Sequence, residues 1–390
     1  MVQTAERLRQ LPPYLFVQIR QKEREARARG IDVISLGVGD PDQPTPDHVI
    51  DALCEAAHDP VMHVYPPDEE RGMVSFREVI ASWYQRRFAV EADPDREVLA
   101  LIGSKEGNHH VALAYLNPGD VALIPDPAYP AYLASAIFAG AQVVRVPMDA
   151  EHGWLPDFAA IPADLARRAK VLWLNYPNNP TAAVAGEEFW RAAAAWARDT
   201  DTLIVNDCPY SEIAFDGCRP ASLLSGGLDA PVVEFNSLSK PYNMTGWRIG
   251  MAVGNADVIS ALRKVKENTD SGIFGAVQRA GIAALSGPQD NIARMIAIYQ
   301  ARRDQVVETW HAIGLPLQPP KATFYVWAPI PAGRTSLQFA GELLEQAGVV
   351  VTPGIGYGNQ GEGYVRMSLT VHDDRLREAM QRIRKLGSLE

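Results

Sequence analysis

An α/β fold built on a mostly parallel sheet is the architecture this chain predicts, and three observations predict it. Short apolar runs recur from about residue 98 to 290. Helical stretches separate several of them, the signature of crossover connections between parallel strands. At least one run, Leu172-Trp173-Leu174, is apolar without alternation, as expected of a strand covered on both faces. The seven runs are Val98–Ile102, Val121–Ile124, Gln142–Val146, Val171–Leu174, Leu203–Val205, Val232–Phe235 and Ile249–Val253. The intervening helices include Glu106–Leu116, Glu187–Arg198 and Asp257–Glu267. The 390 residues exceed one compact core and suit two lobes.

From Asn291 a long amphipathic helix to about Ile313 leads into a smaller α/β lobe. That lobe takes Phe324–Trp327, a helix near Leu337–Gln346, strands Val349–Val351 and Tyr364–Leu369, and a final charged helix from Asp374 to Lys385. The stretch before Pro46 is expected to pack with it. The predicted division is therefore 1–47 and 291–390 for the small domain and 48–290 for the large one.

Composition narrows the function classes. A net charge of -10, with no basic stripe interleaved with aromatics, argues against a nucleic-acid surface. The cluster Arg20-Gln21-Lys22-Glu23-Arg24 is interrupted by Glu and reads as a solvated helix face. No apolar run is long enough to span a bilayer, so no membrane partner is expected. The first ten residues lack the apolar core of a signal peptide. Cys54, Cys208 and Cys218 form no CxxC pair, and the expected location is the cytoplasm. His109 and His110 are adjacent and cannot face one metal from a helix, so no metal site is expected.

The polar motifs fall at strand ends, where open α/β sheets bind ligands. Gly103-Ser104-Lys105 follows the strand ending at Ile102 and opens a helix, whose free amides and dipole favour a phosphate. Asn175-Tyr-Pro-Asn-Asn179-Pro-Thr181 follows Leu174, Asp207 and Tyr210 follow Val205, and Ser237-Leu-Ser-Lys240 follows Phe235. A lysine desolvated in a cleft beside a cation, here Arg248, has a lowered pKa and can form an imine. Taken singly, each residue also has a plain reading: Ser104 as an N-cap, Lys240 as a surface lysine, Asp207 as a turn residue. Gly37-Val-Gly39 begins like a dinucleotide fingerprint, but Pro41 blocks the helix it would open.

In order and spacing, Asn175–Thr181, Asp207-Cys-Pro-Tyr210, Ser237–Lys240 and Trp247-Arg248-Ile-Gly250 resemble the fold-type I pyridoxal-phosphate aminotransferases of class I/II. Leu36-Gly-Val-Gly39-Asp-Pro-Asp, Ile102–Gly107, Tyr210–Gly217 and Tyr242–Gly250 read like the bacterial LL-diaminopimelate aminotransferase branch. The resemblance implies pyridoxal 5'-phosphate as cofactor and a Schiff base on Lys240, which also shuttles the proton. It implies that Asp207 pairs with the pyridinium nitrogen, that Tyr210 and Asn179 bond the ring oxygen, and that Tyr129 stacks on the ring. Ser104, Lys105 through its amide, Ser237 and Arg248 would hold the phosphate, with Tyr65 reaching the site of the other subunit of a homodimer. Arg366, with the Gly39 amide, would grip the α-carboxylate of an amino-acid or 2-oxo-acid substrate, and Tyr14 would line the pocket.

Three positions depart from the branch. Ala182 replaces Gly, tolerable if φ there is negative. Pro209 stands where Ala is usual. The loop Pro66-Pro-Asp-Glu-Glu-Arg-Gly72 carries about two extra residues and is expected to help select the substrate side chain. The leading expectation is amino transfer. Two others are elimination, replacement or carbon–carbon bond formation on the same cofactor, and a non-catalytic sensor of it.

Overall fold

The computed structural model describes residues 2–65 and 71–387. Seven strands form one sheet: β1 (Val98–Leu101), β2 (Val121–Asp126), β3 (Gln142–Pro147), β4 (Ala169–Leu174), β5 (Leu203–Asp207), β6 (Val232–Ser237) and β7 (Gly250–Gly254). Their spatial order is β1-β7-β6-β5-β4-β2-β3. Only β7 runs against its neighbours, pairing antiparallel with both β1 and β6. Each predicted strand lies within a few residues of an observed one.

Every residue of β1, β2, β5, β6 and β7 is buried. Successive side chains point to opposite faces, and the two faces pack into separate clusters. Leu123, Leu172, Ile204 and Val232 join one, while Ala122, Trp173, Val205 and Phe235 join the other. This alternation places Asp207, two residues after Val205, on the second face. That face is covered by helices including α2 (Ser104–Tyr115) and α3 (Pro130–Ala139), whose Val111 and Tyr132 belong to its cluster.

A third cluster gathers Ile34 and Leu36 with residues from α4 (Asp290–Ala312), β8 (Tyr325–Pro329), β9 (Tyr364–Ser368) and the last helix, Asp373–Lys385. The N-terminal segment joins it as Ile34–Ser35 pairs parallel with Val349–Val350. β9 lies between β8 and Thr352–Pro353. At the N-terminus, α1 (Leu15–Ala28) buries Leu15, Ile19 and Ala26.

One sequence expectation fails. Ala182 has φ 61°, not a negative value. The turn that follows Asn179 keeps the left-handed backbone that glycine adopts freely, and alanine bears the steric cost of roughly 1–2 kcal/mol there. The turn is held by the Asn178 carbonyl, which accepts the Ala182 N–H at 3.0 Å, and by Asn178 Oδ1, which accepts the Thr181 N–H at 2.9 Å.

Candidate active site

A cavity of about 380 Å³ opens at the carboxyl ends of the parallel strands. Ser104, Lys105, Tyr129, Asn179, Asp207, Tyr210, Ser237, Lys240 and Arg248 all line it, together with Tyr14 and Gly39 from the N-terminal segment. Sequence-predicted residues from widely separated stretches of the chain thus meet at one place.

The floor is Asp207. One carboxylate oxygen, Oδ2, accepts from the Asn108 amide and from the Tyr132 hydroxyl, both at 3.1 Å. The other, Oδ1, is buried and has no hydrogen-bond partner among the described residues. Burial raises the carboxyl to about 6, against the pull of the Ser104, Tyr132 and Asn108 donors. A buried carboxylate with one free oxygen is built to receive a cationic N–H.

Beside it lies an anion cradle. Ser104 opens α2, where unpaired amides and the helix dipole favour negative charge. Gly103, φ 78°, precedes it, and a Cβ there would stand 2.4 Å from Arg248 Nη2. The arginine therefore leans over the amides because glycine leaves the room. Arg248 is itself held in a left-handed conformation, φ 56°, and donates to the Thr245 carbonyl at 2.9 Å. Ser237 Oγ accepts the Ser239 N–H at 3.1 Å, folding the turn that leads to Lys240. Behind the cradle, Glu106 accepts the Ile102 N–H and the Lys266 ammonium. His110 and Asp270 bring ligand atoms within 4.8 Å of those of Glu106. The Lys266 ammonium already bridges both carboxylates, at 2.7 Å and 2.9 Å, so this cluster is an internal ion network.

Lys240 lines the same cavity. Its Nζ donates to the Gly39 carbonyl at 3.1 Å. Burial lowers its pKa from 10.5 to about 8; Asp40 opposes the shift, and Arg248 and Arg366 assist it. Gly39 has no room for a side chain, since a Cβ would fall 2.2 Å from the Tyr325 hydroxyl. That hydroxyl lies 3.3 Å from the Tyr210 hydroxyl.

Arg366 is fully buried on β9, just behind the lining. It donates to Asn179 Oδ1 at 2.8 Å and to the Gly37 carbonyl at 2.7 Å, and its Nε has no partner among the described residues. Asn179 is in turn fixed by Asn175, whose Oδ1 accepts the Asn179 N–H at 2.8 Å while its amide donates to the Asp207 carbonyl. Tyr65 does not line the cavity of its own chain; it is 76% exposed. Of the loop Pro66–Gly72, residues 66–70 lie outside the described residues.

Sequence reasoning missed Tyr132, Asn108 and Tyr325. Asn108 sits one helical turn after Ser104, a spacing that marks one face. Tyr132 stands three residues after Tyr129 across the start of α3. Arg20, read as part of a solvated face, also lines the cavity. Its side chain stays exposed while bordering the cavity, next to the buried Ile19.

The residues present fit pyridoxal phosphate. A free carboxylate oxygen suits its ring nitrogen, the Ser104–Arg248 cradle its phosphate, and a lysine of lowered pKa its carbonyl.

Comparison with known proteins agrees. The Aminotransferase class I and II family matches residues 31–383. An LL-diaminopimelate aminotransferase of Moorella thermoacetica is 54% identical over 391 residues, covering 100% of both chains. A substrate-bound BacF structure from Bacillus subtilis superposes with a TM-score of 0.94 at 38% identity, covering 100% of both chains. A probable N-succinyldiaminopimelate aminotransferase from Thermus thermophilus gives 0.89 at 38% identity, over 95% of this chain and 99% of that one. The chain belongs to the class I and II aminotransferases and is a pyridoxal-phosphate-dependent transferase of amino groups.

Proposed function

We propose that this enzyme carries its cofactor as a Schiff base on Lys240 and exchanges amino groups between LL-diaminopimelate and a 2-oxo acid. The observation that carries the reading is the meeting of Lys240, Asp207 and the Ser104 helix terminus at one cavity. The substrate name rests on the 54% identical relative, which matches this chain end to end.

Bound pyridoxal phosphate supplies the electron sink that lets a proton leave the substrate Cα. The chain's own residues do the rest. Asp207 would hold a proton at the ring nitrogen. Ser104, the Lys105 amide, Ser237 and Arg248 would hold the phosphate. Tyr129 would stack on the ring, and Tyr210 and Asn179 would bond its oxygen. Lys240, with its lowered pKa, would serve as the base at the substrate Cα. Arg366 holds the α-carboxylate beside the Gly39 amide, and Asn179 couples that grip to the cofactor end of the cavity. Tyr14 closes the substrate side.

The enzyme works as a homodimer with composite sites, each completed by Tyr65 of the other subunit. Exposed Val61, Val64, Tyr65 and Phe274 support an apolar contact surface there. A large domain of 48–290 and a small one of 1–47 with 291–390 frame each cavity. Three free thiols, one of them exposed, support a reducing cytoplasm.

Borohydride reduction of the yellow holoenzyme tests the central assignment. The cofactor should be fixed on one peptide, the one containing Lys240. Label on another lysine, or none, would refute the Schiff-base reading.

A further inference from the structure

The cavity holds more positive charge than its cofactor uses. Arg20, Lys105, Lys240 and Arg248 line it, and Asp207 is the sole carboxylate among the described lining residues. Arg248 is committed to the phosphate, Lys240 to the carbonyl and Asp207 to the ring nitrogen. Arg20 and the Lys105 ammonium are left over. The latter sits 5.2 Å above the Tyr14 ring.

The position of Arg20 follows from its helix. It lies four residues after Phe16 on α1, so the two share a face about 6 Å apart along the axis. The Phe16 ring is 5.4 Å from the Arg366 guanidinium carbon and 6.4 Å from the Tyr129 ring. Phe16 therefore stands beside the proposed α-carboxylate grip, and Arg20 stands one turn farther along. Two other arginines of this helix are engaged. Arg27 pairs with Glu23 and donates to the Val33 carbonyl, and Arg24 donates to the Arg20 carbonyl. Just past its end, Arg29 pairs with Glu345. The Arg20 guanidinium has no ion-pair or hydrogen-bond partner among the described residues, and it faces the cavity.

We propose that Arg20 binds a second anionic group of the substrate, the distal carboxylate of a dicarboxylic amino acid or of its 2-oxo acid. The inference rests on the aminotransferase reading, in which Arg366 takes the first carboxylate. A planar guanidinium matches a carboxylate bidentately. Leftover cations in a cleft raise the local concentration of anions there, whereas a substrate with an apolar side chain would leave that charge uncompensated. The assignment concerns the far end of the substrate, beyond the reacting carbon, so Arg20 is a specificity residue rather than a catalytic one.

The test is binding without turnover, so it stands apart from whether any amino acid is a good donor. Glutarate, with two carboxylates, and butyrate, with one, are titrated into the holoenzyme by calorimetry. The wild type should bind glutarate at least tenfold more tightly than butyrate. In Arg20→Gln that ratio should fall to within threefold of unity, and Arg20→Lys should keep an intermediate ratio. Arg20 is exposed, and an intact cofactor absorbance band verifies that each variant is folded. Equal affinities in the wild type, or an undiminished ratio in Arg20→Gln, would overturn the proposal. The aminotransferase reading fails on a different result, the absence of any amino transfer by a holoenzyme that binds both acids.

Discussion

The proposed Schiff base requires a neutral Lys240 to attack the carbonyl of free pyridoxal phosphate, so on that reading the rate of cofactor capture reports its protonation. A lysine at its ordinary 10.5 would be neutral in only about 0.03% of molecules at pH 7. At about 8, the neutral share is near 9%, a gain of roughly 300-fold. The sign is fixed by the cause. Burial disfavours the ammonium, so capture should rise with pH and level off above about 8. Asp40 is the group that opposes this shift. Removing its charge in Asp40→Asn should lower the midpoint and speed capture at pH 7. Stopped-flow absorbance on cofactor-free enzyme across pH 6 to 10 measures both. A wild-type midpoint near 10, or an upward move in Asp40→Asn, would show that the Lys240 environment is not the one described.

Three further outcomes follow from other parts of the site. Asp207→Ala should retain cofactor through Ser104, Ser237 and Arg248 yet lose at least about 100-fold in kcat, near 2.7 kcal/mol of barrier, read by steady-state assay with parallel absorbance. Mixing Lys240→Ala with Tyr65→Phe subunits should restore some wild-type-like sites in heterodimers. Full activity of a monomer at high dilution, seen by sedimentation, would exclude a composite site. At Ala182, φ 61°, a β-branched Val should cost roughly 2 kcal/mol while Gly should not destabilise, a difference that thermal melts of the two variants resolve.

Much of this site was legible because its residues sit at strand ends. A buried run of apolar residues locates a strand, and the first polar residues past it locate the ligand. Asp207, Lys240 and Ser104 were found in that way. Residues that act from inside regular elements were not. Tyr132 and Asn108 point to Asp207 from helices, and nothing in a helical pattern separates an inward tyrosine from a packing one. Tyr325 lies within β8, where an aromatic residue reads as core. Arg20 is exposed, as its charged sequence neighbours imply, but nothing in the sequence shows that it also borders the cavity. The positive φ at Ala182 was hidden for the same reason: the turn is dictated by Asn178 and Thr181, not by the alanine.

The reversed direction of β7 has a consequence for how the site withstands movement. Because β7 returns antiparallel beside β6, Ser237 and Gly250 face each other across the ladder. Lys240 follows the first by three residues and Arg248 precedes the second by two. The two groups proposed to fasten the cofactor covalently and ionically thus ride on a single bracket, bolted shut at its base by the sheet. Arg366 is mounted elsewhere, on β9, and reaches the cavity through Asn179. A shift of the β8–β9 sheet would therefore act first on the hold on a visiting amino acid and would reach the cofactor only through Asn179 and Tyr210. Substrates can come and go through many cycles while the resident passenger stays seated.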